Sequence, residues 1–337
     1  MSTFSRLHPV LQEILISGLG WNSLREVQEA ALQAVSEGCD ILVLAPTAGG
    51  KTEAAFLPVI DSILKNPTGH LSAVYISPLK ALINDQTERV LSLVRRAGLE
   101  AAVQHGDVSD SDRWKFQSGE EPDILLTTPE SLEVLLSSRD SRHAFSNLRF
   151  IIIDEIHAFI ETSRGVHLRC LIDRLSFASE NHITRIGLSA TVGNPNELLS
   201  WMSASDRNQK LVSIPSPPSK KEFSFVVEPD FFTRIEAAAD AVRGKKSLIF
   251  VESRSLAERL IEPLKGLLTN VFIHHSSVSP EDRKAAEASF DSGGETCVIC
   301  TSTMELGIDI GRLERVMQIE APNTVSNFLQ RLGRSGR

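Results

Sequence analysis

The chain has 337 residues, 42% of them hydrophobic and 23% charged, which excludes a disordered or fibrous protein and predicts two compact units. Its 35 Lys and Arg against 43 Asp and Glu give a formal charge of −8, so it does not coat nucleic acid through overall positive charge, and any such site must be local. Apolar runs such as Ile151 to Ile153 fall far short of the roughly 20 residues that cross a bilayer, and Met1 to Val10 lack a secretory pattern, so a cytosolic setting is expected.

Short aliphatic or β-branched runs occur at Ile41 to Leu44, Ala73 to Ile76, Ile124 to Leu126, Phe150 to Ile153 and Arg185 to Leu188, each followed by a helix-like stretch. Strand-then-helix alternation with strands that are apolar throughout predicts an α/β fold, a parallel sheet covered on both faces, with ligands at the C-terminal strand ends. The alternation breaks at Ile214-Pro215-Ser216-Pro217-Pro218-Ser219-Lys220-Lys221, where three prolines disfavour a helix or a central strand. The expected organisation is therefore a first domain over residues 1–214, a linker over 215–230 and a second domain over 231–337, with Phe223 to Val227 open as an edge strand of either. Strands resume at Ser247 to Val251, Val271 to Ile273, Cys297 to Cys300 and Val316 to Ile319. Four cysteines are too few for a disulfide framework. Cys297 and Cys300, three apart on one strand, point to opposite faces and cannot share a metal.

The strand ends carry the chemistry. Ala45-Pro46-Thr47-Ala48-Gly49-Gly50-Lys51-Thr52 lies between a strand and a helix, the context of a phosphate-binding loop, although Ala45 stands where the general pattern begins with Gly. Backbone N–H groups at Thr47, Ala48, Gly49 and Gly50 suit phosphate oxygens, Lys51 reaches the β and γ phosphates of ATP, and the Thr52 hydroxyl holds Mg²⁺. The strand Phe150 to Ile153 ends in Asp154-Glu155-Ile156-His157. Asp154 is expected in the Mg²⁺ shell and Glu155 as the general base that activates water. A simple helix cap would explain one of these acids but not the pair beside a phosphate loop.

Ala-x-Thr-x-Gly-x-Lys-Thr with Asp-Glu-x-His resembles motifs I and II of superfamily 2 helicases, and further motifs follow in family order. Ser77-Pro78-Leu79-Lys80-Ala81-Leu82 resembles motif Ia, Thr127-Thr128-Pro129-Glu130-Ser131 motif Ib, and Ser189-Ala190-Thr191 motif III. Leu24-Arg25-Glu26-Val27-Gln28 is similar to the adenine-reading Q-motif, which implies ATP contacts for Arg25 and Gln28. In the second half Leu248 to Arg254 resembles motif IV, Thr301 to Asp309 motif V and Gln330 to Arg337 motif VI. The resemblance implies two tandem RecA-like domains. It implies nucleic-acid contacts for Pro78, Lys80, Thr128, Pro129, Ser253, Arg254 and Thr301, and ATP contacts for Gly307 and Asp309. It further implies coupling through His157, Ser189 and Thr191, and catalytic roles for Gln330, Arg334 and Arg337. Such arginines are worth about 10³ to 10⁵ in rate.

Gln104-His105-Gly106-Asp107, Arg164-Gly165-Val166-His167-Leu168, Gly187 to Pro195 and His274-His275-Ser276-Ser277 are similar to the Lhr (large helicase-related) group, with Ser276 where that group usually has Gly. This likeness implies ATP-driven 3′-to-5′ movement on single-stranded DNA and separation of DNA or RNA–DNA duplexes. It also implies accessory domains beyond motif VI, without which unwinding is expected to be poor. Two other readings stay open at this point: a P-loop phosphotransferase acting on a small molecule, and an ATP-gated clamp on nucleic acid or a partner that does not travel.

Overall fold

The structure is a computed structural model that describes residues 3–45, 50–79, 83, 90–105, 121–138, 141–160, 162–189, 193–213, 221–228, 230–291, 294–304 and 313–334. Contacts divide the chain into Met1–Ser216 and Pro217–Arg337. Of the expected linker, the described residues 221–228 carry no regular secondary structure, so no edge strand forms at Phe223 to Val227.

The first unit is built on seven parallel strands: β1 (Asp40–Leu44), β2 (Ala73–Ile76), β3 (Ala101–Gln104), β4 (Ile124–Thr127), β5 (Phe150–Ile153), β6 (Thr184–Ser189) and β7 (Gln209–Ser213). Their spatial order is β3-β4-β2-β5-β6-β1-β7. The uniformly apolar strands are explained by two separate cores. Ile41, Val43, Tyr75 and Ile152 pack into one, while Leu42, Leu44, Val74, Ile151 and Ile153 pack into the other, on the opposite face. Because successive side chains alternate across a strand, a strand covered on both sides is apolar at most positions. Polar groups then collect where the strands end.

The second unit holds four parallel strands, β8 (Lys246–Phe250), β9 (Val271–His274), β10 (Thr296–Cys300) and β11 (Arg315–Gln318), in the order β11-β8-β10-β9. The same alternation sends Ile249 and Cys297 to one core and Leu248 and Cys300 to the other. The two cysteines therefore lie on opposite faces of the sheet.

Parallel pairing brings the ends of β1, β6, β5 and β2 side by side. Leu44 pairs with Ser189, Ile153 with Gly187 and Ile76 with Ile153. The residue after each strand thus joins one row at the C-terminal edge. Ile152 is fully buried in the middle of this arrangement. Truncation to Ala removes packed volume that rigid neighbours cannot refill, so Ile152→Ala is expected to cost about 2–5 kcal/mol. A urea titration of the two proteins measures this; an unchanged first-unit midpoint would contradict the assigned core.

Candidate nucleotide site

The phosphate loop meets its helix at Gly50. Its φ of +79° lies in the left-handed region, where a Cβ is unfavourable. An added Cβ would also come within 3.0 Å of Gln28 Nε2 and 3.4 Å of Arg25 Nη1. Glycine here serves both the turn and the approach of the Q-motif side chains. Helix Lys51–Lys65 starts at the next residue, placing Lys51 and Thr52 in its first turn. Thr47, Ala48 and Gly49 lie outside the described residues.

Lys51 is buried, 6% exposed, with Nζ 3.7 Å from Glu155 Oε1. Asp154 and Glu155 follow β5 and are 6% and 7% exposed. Asp154 Oδ1 accepts the Glu155 N–H at 2.9 Å, and its Oδ2 accepts the hydroxyl of Tyr75. Glu155 has φ +41° and ψ +46°, a left-handed conformation that costs a non-glycine residue about 1–3 kcal/mol and is held only where its surroundings enforce it. His157 Nδ1 lies 2.7 Å from Ser189 Oγ and 3.5 Å from Glu155 Oε2. Burial holds its imidazole below the ordinary value. The expected contact of motif III with His157 is present through Ser189, whereas Thr191 lies outside the described residues.

Four buried atoms at this edge have no hydrogen-bond partner among the described residues: Gln28 Nε2, Lys51 Nζ, Glu155 Oε2 and His157 Nε2. Buried polar groups are nearly always satisfied, so four such atoms within one patch at the strand ends suit a polar ligand. Gln28 Oε1 accepts the Arg25 N–H at 3.0 Å and keeps a second acceptor position, so its amide can still both donate to and accept from a nucleotide. Beside it lies a cavity of about 350 Å³ lined by Gly20, Trp21, Asn22, Ser23, Arg25 and Gln28. The residue types also fit Mg²⁺. No cluster of three or more His, Cys, Asp or Glu among the described residues could hold a metal by itself. One carboxylate and one hydroxyl, Asp154 and Thr52, are what Mg²⁺ uses when phosphates supply the remaining ligands.

The turns expected to face nucleic acid also stand at strand ends. Pro78 follows β2, and Lys80 lies outside the described residues. Thr128 is buried and caps helix Pro129–Leu136 by accepting the Ser131 N–H at 3.4 Å. Arg164 joins these two turns, donating to Pro78 O at 2.9 Å and Glu130 Oε1 at 2.8 Å. Gly165 is fixed beside it, since a Cβ there would sit 2.0 Å from Phe159 O.

In the second unit Ser253 caps helix Arg254–Lys265, and Arg254 donates to Ser277 Oγ at 2.8 Å. Thr301 donates its N–H to His274 O at 3.3 Å. His274 also lies 2.8 Å from Thr303 Oγ1, tying motif V to β9. Gln330 lies on helix Val325–Leu332, and Arg334 follows that helix and is buried. Gly307, Asp309 and Arg337 lie outside the described residues.

The sequence assigned no role to Trp21 or Tyr75, and none of their own to Arg164 and Arg331, although both arginines stand inside segments that resemble family motifs. Arg331 pairs with Glu252 Oε1 at 2.5 Å and stacks 5.0 Å from the Phe250 ring centroid, fastening the motif VI helix to β8. An aromatic just before the Q-motif was the one visible signal for Trp21; the others depend on partners distant in sequence.

Burial, and then the charge of Glu155, push the Asp154 carboxyl up to about 6. Between about pH 4 and 6 the folded protein therefore keeps a proton that the unfolded chain has released. Stability from this group is full below the unfolded value and is lost as pH rises through about 6. Ligand-free Asp154→Asn in EDTA is expected to be about 1–3 kcal/mol more stable than wild type at neutral pH. Unfolding curves recorded at several pH values check this, because the gap should close toward acid; a gap independent of pH would contradict the assignment.

Residues 25–198 match the DEAD/DEAH box helicase family, and residues 232–337 match the helicase conserved C-terminal domain. The Lhr helicase/probable uracil glycosylase of Mycolicibacterium smegmatis is 34% identical over 374 residues, spanning 92% of this chain and 24% of that protein. The ATP-dependent helicase Lhr-Core of Methanothermobacter thermautotrophicus is 34% identical over 370 residues, spanning 98% of this chain and 42% of that protein. The chain therefore spans less than half the length of either relative. The structure of Mycobacterium smegmatis helicase Lhr bound to ssDNA and AMP-PNP matches with TM-score 0.79 and 33% identity over 99% of this chain and 46% of that one. The DEAD-box helicase Mss116, at 18% identity and TM-score 0.80, shares the fold of tandem RecA-like domains. With paired matches over both units and the motif residues gathered at the strand ends, this chain belongs to the DEAD/DEAH box helicase family.

Proposed function

We propose that this chain is the ATP-hydrolysing core of a helicase or translocase that moves on single-stranded DNA or RNA. The observation that carries the reading is the row of buried polar atoms at Gln28, Lys51, Glu155 and His157 that lack a hydrogen-bond partner among the described residues, a donor and acceptor set suited to a nucleoside triphosphate. The M. smegmatis Lhr structure holds ssDNA and AMP-PNP, which supports the same classes of ligand here.

In this reading Gln28 and Arg25 hold the adenine end, beside Trp21 and its cavity. Lys51 and the amides of Thr47, Ala48, Gly49 and Gly50 receive the phosphates. Mg²⁺, when bound at Thr52 and Asp154, supplies charge neutralisation on the phosphate oxygens. Glu155 accepts a proton from the attacking water, and its strained backbone fixes that carboxylate near Lys51. His157 and Ser189, with Thr191, pass the state of the site toward the strand-facing turns. Gly307, Asp309, Gln330, Arg334 and Arg337 are the second unit's contribution to nucleotide binding and hydrolysis. Pro78, Lys80, Thr128, Pro129, Ser253, Arg254 and Thr301 contact the nucleic-acid backbone, with Thr128 acting through the helix terminus that it caps. A cytosolic setting is proposed, where the buried thiols of Cys39, Cys297 and Cys300 stay reduced.

Steady-state ATP hydrolysis with and without single-stranded DNA and RNA tests this reading, with Glu155→Gln as the blank. Wild type is expected to be stimulated by one or both strands, and Glu155→Gln to lose about 10²- to 10⁴-fold in turnover. A robust rate that no strand changes would favour a small-molecule phosphotransferase. Strand-stimulated hydrolysis without directional strand displacement would favour a clamp.

A further inference from the structure

We propose that Tyr75 is a positioning residue for Asp154, its buried hydroxyl orienting the carboxylate toward the divalent cation that accompanies the nucleotide. The inference rests on the reading of Asp154 as a Mg²⁺ ligand.

Tyr75 is the single tyrosine of the chain and is fully buried. It occupies the third position of β2, directly opposite Ile152 of β5. Strand alternation puts Phe150 and Ile152 on one face, with Asp154 next in that series. The Tyr75 side chain lies in the same core as Ile152, so its hydroxyl reaches Asp154 along the sheet face. Its ring packs 5.4 Å from that of Phe56, with a 39° tilt. Phe56 belongs to the helix that opens with Lys51 and Thr52. One side chain therefore contacts both the helix that receives the phosphates and the carboxylate that receives the metal.

An apolar residue would fill this core position without burying a hydroxyl, whose desolvation is costly unless it is hydrogen-bonded. The hydroxyl is used, and it is used on Asp154. With Oδ1 held by the Glu155 N–H and Oδ2 by Tyr75, both carboxylate oxygens are fixed in orientation. Each oxygen keeps a further acceptor position for a metal or a metal-bound water. Partners that orient a ligating carboxylate are worth about 10- to 100-fold in metal affinity.

Tyr75→Phe keeps the ring and its packing on Phe56 and removes only the hydroxyl, with its bond to Asp154 and its contact with Ser77. The test is a Mg²⁺ titration of the binding of a fluorescent, non-hydrolysable ATP analogue to wild type, Tyr75→Phe and Asp154→Asn, repeated in EDTA, with melting curves for each protein. The half-saturating Mg²⁺ concentration is expected to rise about 10-fold in Tyr75→Phe, with the loss of analogue binding confined to buffers containing Mg²⁺. An unshifted Mg²⁺ midpoint in Tyr75→Phe beside a shifted one in Asp154→Asn would overturn the role of Tyr75 alone. Equal weakening of Tyr75→Phe in Mg²⁺ and EDTA would mark the tyrosine as packing only. If Asp154→Asn itself leaves the midpoint unshifted, the metal-ligand reading of Asp154 falls, and the inference falls with it.

Discussion

Charge buried at the edge of a parallel sheet is the constraint on which the rest of this structure depends. Lys51, Asp154 and Glu155 are each less than a tenth exposed, in a layer where both faces of the sheet are closed by apolar cores. Ions in such a place are costly unless they are paired, hydrogen-bonded or occupied by ligand. The 3.7 Å separation of Lys51 and Glu155 is only a partial answer, because Lys51 Nζ and Glu155 Oε2 still lack hydrogen-bond partners among the described residues. The local backbone serves the same end. Gly50 supplies a left-handed turn at the foot of the Lys51 helix, and Glu155 is held in a left-handed conformation that is rare for its type. Stability is given up at one edge, and the seven-stranded sheet behind it supplies the rigidity that holds these groups together.

The second unit repeats the pattern with different side chains. Its strands again send apolar side chains into a core on each face, and polar residues gather after β8, β9 and β10. Arg331 is buried against Phe250 and ion-paired with Glu252, so a motif VI arginine serves as an internal fastening of its helix. His274 connects β9, Thr303 and Glu287 in one hydrogen-bonded group. These contacts explain why motif residues cluster at strand ends in both units: only there does a doubly covered sheet leave room for polar atoms to converge.

The central strands were legible in the sequence because burial on two faces demands uninterrupted apolar runs, and the phosphate loop and Asp154-Glu155 were legible because they interrupt such runs in a fixed context. The edge strands of the first sheet were not, whereas β9 and β11 at the edges of the second were. Ala101–Gln104 and Gln209–Ser213 are partly exposed, so packing does not force an apolar pattern on them. Phe223 to Val227 shows the reverse: its aromatic and β-branched residues suit a strand, yet no neighbouring strand pairs with them among the described residues. The missed site residues share one cause. Tyr75 acts through Asp154, 79 positions away, and Arg164 through Pro78, 86 positions away. Local motifs carry no trace of such partners.

The central claim is that the buried charges of the first unit form a site for a nucleotide with its metal. The most direct test is the shift in melting temperature of the ligand-free protein on adding AMP-PNP with Mg²⁺, AMP-PNP in EDTA, or Mg²⁺ alone. A ligand present at 100 times its Kd stabilises the folded state by about 2.7 kcal/mol, enough to move a melting curve by several degrees. The account predicts a clear upward shift with AMP-PNP and Mg²⁺ together and a smaller one with either alone. No shift at saturating nucleotide and metal would contradict it.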